Sequence, residues 1–332
     1  MDSLTQIVLG AAVGEAVLGK KVGNKAMLYG AIAGTIPDLD VFASHFTDTV
    51  SALEIHRGFT HSIVFSVLFA PIFGWLVSRY ESHKAFKDWS WLFFWAFLTH
   101  PLLDAHTTWG TQLFWPFEIR LAYKNIFVID PLYTLPFLVF LILALFQKRT
   151  SNKRRFYNNL GLVISTIYLG ITLLLKGFAH NEFRKALKKQ NIDYSQIDTR
   201  PSPLNSILWN ANIETEEAYL LGNYSFFDSQ PISFTAYPKN HHLLGNLVHD
   251  EKIKRMIKIT EGWHTITEKN GHLYFNDLRF GLLDLEPNSQ EFVFQFLIEQ
   301  DTNGHVVFTE MPRDRSNMSA VLKALWQRIK GN

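Results

Sequence analysis

The feature that most constrains this chain is a set of long stretches without charge. Within the first 178 of its 332 residues, Gly58–Ser78, Trp89–Leu103, Pro131–Gln147 and Phe156–Leu175 contain no Asp, Glu, Lys or Arg. An α-helix rising about 1.5 Å per residue needs about 20 mostly apolar residues to cross a bilayer. The first and last runs meet that length, and the middle two reach it with flanking polar residues at the interface or inside a bundle. Ser62–Ser78 and Asn158–Leu175 offer no polar face to water. Two shorter runs, Ser3–Gly14 and Ala26–Pro37, are rich in Gly and Ala and are separated by Gly19-Lys20-Lys21-Val22-Gly23-Asn24-Lys25. They read as short buried or re-entrant helices packed through small residues. The opening Met1-Asp2-Ser3 lacks the basic segment of a cleaved signal peptide. The expectation for residues 1–178 is therefore an all-α polytopic membrane domain.

Residues 179–332 are different in kind. They hold 36 of the Asp, Glu, Lys and Arg side chains against 26 in the longer first part, so a mean hydropathy near zero is the average of two unlike pieces. This part reads as a soluble α+β domain with a mostly antiparallel sheet. In Glu291–Ile298 the residues Phe292, Phe294, Phe296 and Ile298 share one face at period two. Tyr219–Phe227, Met256–Thr267, His272–Phe280 and His305–Thr309 read as further strands, with turns at Asn270-Gly271 and Asn303-Gly304. Asn317–Ile329 reads as a closing amphipathic helix. His241, His242, His249, His264 and His272 show no ligand spacing and are expected at the surface.

Basic residues orient the chain. Lys20, Lys21 and Lys25, then Arg79, Lys84 and Lys87, then Lys148, Arg149, Lys153, Arg154 and Arg155 lie in three loops that the positive-inside rule places in the cytoplasm. That threading puts residues 37–61, 104–130 and the C-terminal domain on the outer, periplasmic side of a bacterial-type inner membrane. Arg184, Lys185, Lys188 and Lys189 pull the other way, but long domains translocate largely regardless of charge. The net charge of +2 carries no basic excess, which argues against a nucleic-acid partner and leaves the lipid bilayer as the expected one.

Ionisable residues inside or beside spans are costly, and each is a functional hypothesis. Most of them here form four clusters: Pro37-Asp38-Leu39-Asp40; His56-Arg57-Gly58-Phe59-Thr60-His61-Ser62; His100-Pro101-Leu102-Leu103-Asp104, continuing through His106 to Thr107-Thr108-Trp109-Gly110; and Ile129-Asp130-Pro131-Leu132-Tyr133. His100 and Asp104, at i and i+4, share one helix face. The threading, which used only Lys and Arg, brings all four clusters to one membrane face. With no cysteine in the chain, a metal there would be held by His and carboxylate, the donor set of zinc, or of manganese or iron where carboxylates predominate. Ordinary roles compete: Asp38 and Asp40 as turn residues, Asp130 as a helix N-cap before Pro131, Arg57 as a snorkelling interfacial side chain, and His106 as a structural histidine.

These clusters, in this order, resemble the YdjM-type membrane-bound metal-dependent hydrolases, and the opening Met1-Asp2-Ser3-Leu4-Thr5-Gln6 is similar to that family as well. The resemblance covers about residues 1–180, and it groups the chain distantly with zinc-dependent phospholipases C and related single-strand nucleases. It implies metal ligands at Asp38 or Asp40, His56, His61, His100 and Asp104, with Asp130 a further candidate. Many relatives carry Thr-His where this chain has Thr5-Gln6, and a glutamine is a poor zinc ligand.

The mechanism expected is hydrolysis of a phosphoester, with a lipid-linked substrate the economical choice at a membrane face. Whichever of Asp38 and Asp40 is not a ligand would serve as general base, and Arg57 would bind an anionic substrate oxygen. The alternatives are a non-catalytic membrane regulator that binds metal or lipid, and an ion or proton pathway.

Overall fold

Small residues set the geometry at the start of the chain. In a computed structural model, which describes residues 1–284, 289–313 and 318–332, helix α1 (Ser3–Gly14) opens on Asp2, whose side chain accepts the Thr5 N–H. It runs through a π-helical turn at Glu15–Gly19 and the short α2 (Lys20–Val22) into α3 (Asn24–Thr35). α1 and α3 approach so closely that a Cβ on Gly10 would fall inside the Gly30 carbonyl, and one on Gly14 inside the Ala26 carbonyl. Glycines four apart on both helices permit that approach.

The chain divides into two units, one of Met1–Ala43, Ile55–Leu174 and Pro203–Ser206, the other of Ser44–Glu54, Leu175–Ser202 and Ile207–Asn332. Beyond α3, the first unit contains α5 (Ile63–Tyr80), α6 (Phe86–Asp104), α7 (Pro131–Leu145) and the first part of α8 (Asn152–Lys189). Its core is aromatic: Trp89, Phe93 and Phe97 of α6 are buried, and Phe65 and Phe73 of α5 pack against Phe97 and Phe93. The three basic loops meet at one end. Lys21 pairs with Asp88 at 2.6 Å, Lys25 pairs with Glu81, and buried Arg154 forks onto both oxygens of Glu15 at 2.6 Å. Among the described residues, two helices, Ile63–Tyr80 and Asn152–Lys189, are long and apolar enough to cross a membrane, and Pro131–Leu145 is a shorter apolar helix. Val67, Leu68 and Ile72 on α5, and Val163, Ile167 and Ile171 on α8, face outward.

Among its described residues the second unit has two four-stranded antiparallel meanders. The first runs β1 (Gln196–Pro201), β2 (Leu208–Glu214), β3 (Ala218–Ser225), β4 (Phe234–Pro238), and the second β5 (His264–Lys269), β6 (His272–Leu282), β7 (Phe292–Gln300), β8 (Val306–Glu310). Ala179, Phe183 and Leu187, on the last turns of α8, pack on Trp209, Ala211 and Ile213 of the first sheet. The second sheet is covered by α9 (Glu251–Ile259) through Ile253 and Met256, and by Val50 of α4 (Thr49–Ile55).

Three sequence expectations change here. The stretch Met256–Thr267 is the end of α9 followed by β5, because Asp250 caps a helix that buries Ile253 and Met256 at helical spacing. Strands β1 and β4 are short and end in proline, and β2 lies outside the sequence expectations although Trp209, Ala211 and Ile213 alternate with polar residues along it. His264 is buried and stacked between His241 and Phe275, and burial, with His241 beside it, pushes its imidazole down to about 3. The closing helix α10 is Met318–Ile329, and the expected start at Asn317 lies outside the described residues.

The glycine contact makes opposite predictions at two helical positions. Gly30→Ala drives a methyl into the Gly10 backbone and should destabilise the chain by about 1–3 kcal/mol. Gly170→Ala, in α8 with nothing within 4 Å, should stabilise by about 0.5–1 kcal/mol. Thermal unfolding of the purified variants checks both signs.

Candidate metal centre

Four stretches of chain carry the candidate residues. Pro37 opens a 3-10 turn, Pro37–His45, after α3, from which Asp38 and Asp40 project. Phe59–His61 forms a second 3-10 turn whose exit residue Ser62 caps α5 by accepting the Phe65 N–H. α6 continues as one helix through Pro101, so His100 and Asp104 stay one turn apart on its last face. The fourth stretch, after α6, ends at Asp130, the cap of α7.

Asp38, His61, His100 and Asp104 come together, each offering one ligand atom within 4.8 Å of the others. The two Nε2 atoms are 3.1 Å apart. His61 Nε2 lies 3.3 Å from Asp38 Oδ1 and 3.5 Å from Asp104 Oδ2; His100 Nε2 lies 3.4 and 3.7 Å from the same oxygens. Neighbouring ligands on a tetrahedral ion at about 2.0–2.1 Å are about 3.3 Å apart, so the donor spacing fits a zinc-sized ion.

The outer atoms of the rings define their inner ones. His100 Nδ1–H donates to the Gly34 carbonyl at 2.7 Å, which leaves the Nε2 lone pair facing the centre. His61 Nδ1 lies 3.0 Å from Thr60 Oγ1 and 3.4 Å from Asp40 Oδ2, and the Thr60 hydroxyl donates to Asp40 at 3.1 Å. This is the arrangement in which a carboxylate or carbonyl behind the ring orients a metal-binding imidazole. Lone pairs and carboxylates converging in this way repel one another unless a proton or a cation sits between them.

Asp104 is fully buried. The Met1 amine pairs with its Oδ1, to which Gln6 Nε2 also donates at 2.9 Å. Arg57 Nε is 3.0 Å from Oδ2 but out of hydrogen-bond line, and its Nη1 donates to Thr107. Asp104 Oδ2, the oxygen that faces both histidines, and Gln6 Oε1 are thus buried without a hydrogen bond. An orphaned carboxylate oxygen at the convergence of two imidazole lone pairs fits a bound cation.

Asp40 stands behind the group: its Oδ2 accepts the Arg57 N–H at 2.8 Å, and His56 Nδ1 lies 3.0 Å from its Oδ1. Burial alone would raise the carboxyls of both Asp38 and Asp40. Where a proton and not a cation sits between them, the imidazoles of His100 and His61 hold Asp38, and those of His56 and His61 hold Asp40, well below the usual carboxylate range. Both are therefore ionised at neutral pH.

The remaining expected residues lie elsewhere. His56 sits on Asp40, outside the four-residue group. Asp130 caps α7, accepting the Leu132 and Tyr133 N–H groups and the Tyr168 hydroxyl. His106 bonds Asn125. The Arg57 guanidinium faces Asp104 and Thr107. Gly34, Thr60 and the Met1 amine were not foreseen; a backbone carbonyl and a terminal amine carry no residue signature, and Thr60 was legible only as the neighbour of His61.

The sequence profile of the family described as YdjM inner membrane protein matches residues 1–179. Inner membrane protein YbcI of Escherichia coli (strain K12) is 33% identical over 99 residues, 30% of this chain and 57% of that protein. The chain thus spans little more than half the length of this curated relative. No solved structure matches.

If these four residues hold an ion, His61→Ala and Asp104→Asn should each lose it, while Asp130→Asn keeps it. Asp40→Asn should weaken affinity by about 10–100-fold through the loss of ring orientation. Elemental analysis and metal titration of the purified variants measure this, and Asp130→Asn losing the ion equally would count against the four-residue assignment.

Proposed function

The chain belongs to the YdjM inner membrane protein family, and on that premise we propose that it is an integral membrane, metal-dependent hydrolase of phosphoester or lipid-linked substrates. The observation that carries the reading is the convergence of His61 Nε2, His100 Nε2 and the Asp38 and Asp104 carboxylates. A divalent ion held there, zinc first and manganese or iron next, would supply Lewis-acid activation of water and of the ester oxygen.

The chain's own residues perform the rest. Asp38, with a quarter of its side chain exposed, is the open side of an otherwise buried group. Leu39, Val41 and Phe42 are exposed beside it, apolar surface suited to the tail of a lipid-linked substrate. Asp40, outside the ligand group, is the carboxylate left to accept a proton, and His56 beside it can relay the proton onward. Arg57 balances Asp104, which makes its proposed role charge compensation before substrate binding.

We place residues 1–178 in the membrane as a polytopic helical domain and 179–332 outside it, on the periplasmic side. Two observations support this: the outward apolar faces of α5 and α8, and the meeting of the three basic loops at the end of the first unit opposite the His/Asp group.

One observation favours a second reading. Asp104 is already engaged by Arg57, Gln6 and the Met1 amine, a balance suited to a non-catalytic site that holds a metal or lipid headgroup and regulates a partner. Assay of the metal-loaded protein on phosphodiesters and phospholipids separates the two. Under the hydrolase reading Asp40→Asn, at saturating metal, should lose about 100-fold in turnover; retention of the ion with no hydrolysis by the native chain supports the second.

A further inference from the structure

Helix α10 has a wider apolar arc than its own unit covers. Leu325 and Ile329 are buried against Leu208, the Ser225 hydroxyl donates to the Ile329 carbonyl, and Arg328 forks onto Asp228. The helix is therefore held firmly on one side. On the neighbouring flank Met318, Leu322 and Trp326, four residues apart, are 40%, 45% and 59% exposed. Among the described residues after Ser206, the large exposed apolar side chains are these three, Phe227 and Val248. Phe227 lies at the end of α10, where its carbonyl abuts Gly331. Four of the five thus gather on or beside this helix.

Charge follows the same stripe. At about 100° per residue, Lys323 and Lys330 come next around the helix, about 40–60° beyond Trp326. Lys330 Nζ lies 5.1 Å over the Trp326 ring. From Met318 to Asn332 there is no Asp or Glu, and Arg328 is already satisfied by Asp228, so the charge bordering the stripe is cationic. An apolar stripe ending in Trp and edged by lysines is complementary to a surface with apolar depth and anionic headgroups.

We propose that the Met318–Leu322–Trp326 face of α10, with Lys323 and Lys330 beside it, docks on the surface of an anionic lipid bilayer. The face lies shallow, with Trp326 at headgroup level and the lysine ammonium groups on lipid phosphates. This rests on the membrane location of the family and not on the metal chemistry, so the two fail separately.

The chain has no cysteine, which allows a clean test in the whole chain. Leu322→Cys, Met318→Cys and, as a control in the exposed turn between β7 and β8, Asn303→Cys each carry one spin label in vesicles of phosphatidylethanolamine and phosphatidylglycerol. Labels at 322 and 318 should collide severalfold more with oxygen, which partitions into lipid, than the label at 303, and less with a water-soluble nickel chelate. Removing phosphatidylglycerol, or adding Lys323→Glu with Lys330→Glu, should return the label at 322 towards water. Labels at 322 and 318 as open to the chelate as that at 303 would overturn the proposal. So would shielding from both reagents with two copies cross-linked through the face, which would make it a protein interface, or an oxygen signal indifferent to anionic lipid and to the lysines.

Discussion

The burial of Asp104 is the constraint around which the first unit is arranged. An isolated carboxylate removed from water costs several kcal/mol unless charge or hydrogen bonds meet it. Here the compensation comes from four directions: the Met1 amine and Gln6 from the start of the chain, Arg57 from the loop before α5, and the imidazoles of His61 and His100. The partners come from three stretches, so satisfying one oxygen pair ties the N-terminus, the entrance to α5 and the exit of α6 to a single point. The same convergence leaves Oδ2 aimed at two ring nitrogens without a hydrogen bond, and that is what makes the cluster suited to a cation.

Close packing supplies the other half of the construction. Because Gly10 and Gly30 let the backbones of α1 and α3 touch, α3 ends with its Gly34 carbonyl against His100, and the chain turns at Pro37 with Asp38 already facing the group. A helix packing device at one end of the hairpin therefore fixes a ring tautomer at the other. In the second unit the logic is plainer: amphipathic helices cover two meanders, and α10 covers its sheet with only part of its apolar arc.

Much of this was legible in the residues. The apolar helices followed from charge-free runs, and the pairing of His100 with Asp104 followed from a four-residue spacing that survives Pro101. The gathering of three basic loops at one end agreed with a threading based on charge alone. Less legible were β1 and β4, short strands that end in proline, whose pairing depends on the strands beside them. The stretch Met256–Thr267 reads as one strand from its β-branched residues, whereas its first four residues close α9 and only its end is β5.

By itself the sequence determined which side chains were available: no thiols, clusters of His and Asp at the ends of the apolar runs of the first part, and glycines spaced to let two helices meet. Those are local properties, set by composition and by helical period. Only the tertiary structure decided which carboxylates belong together. Asp38 enters the group and Asp40 stands behind it, although they are two residues apart in one turn, and Asp130, with an equally suggestive motif, is a helix cap whose oxygens are taken by N–H groups and Tyr168. The difference is directional: spacing brings a residue to an end of a bundle, but the orientation of its oxygen depends on which backbone and ring atoms from other helices reach it first.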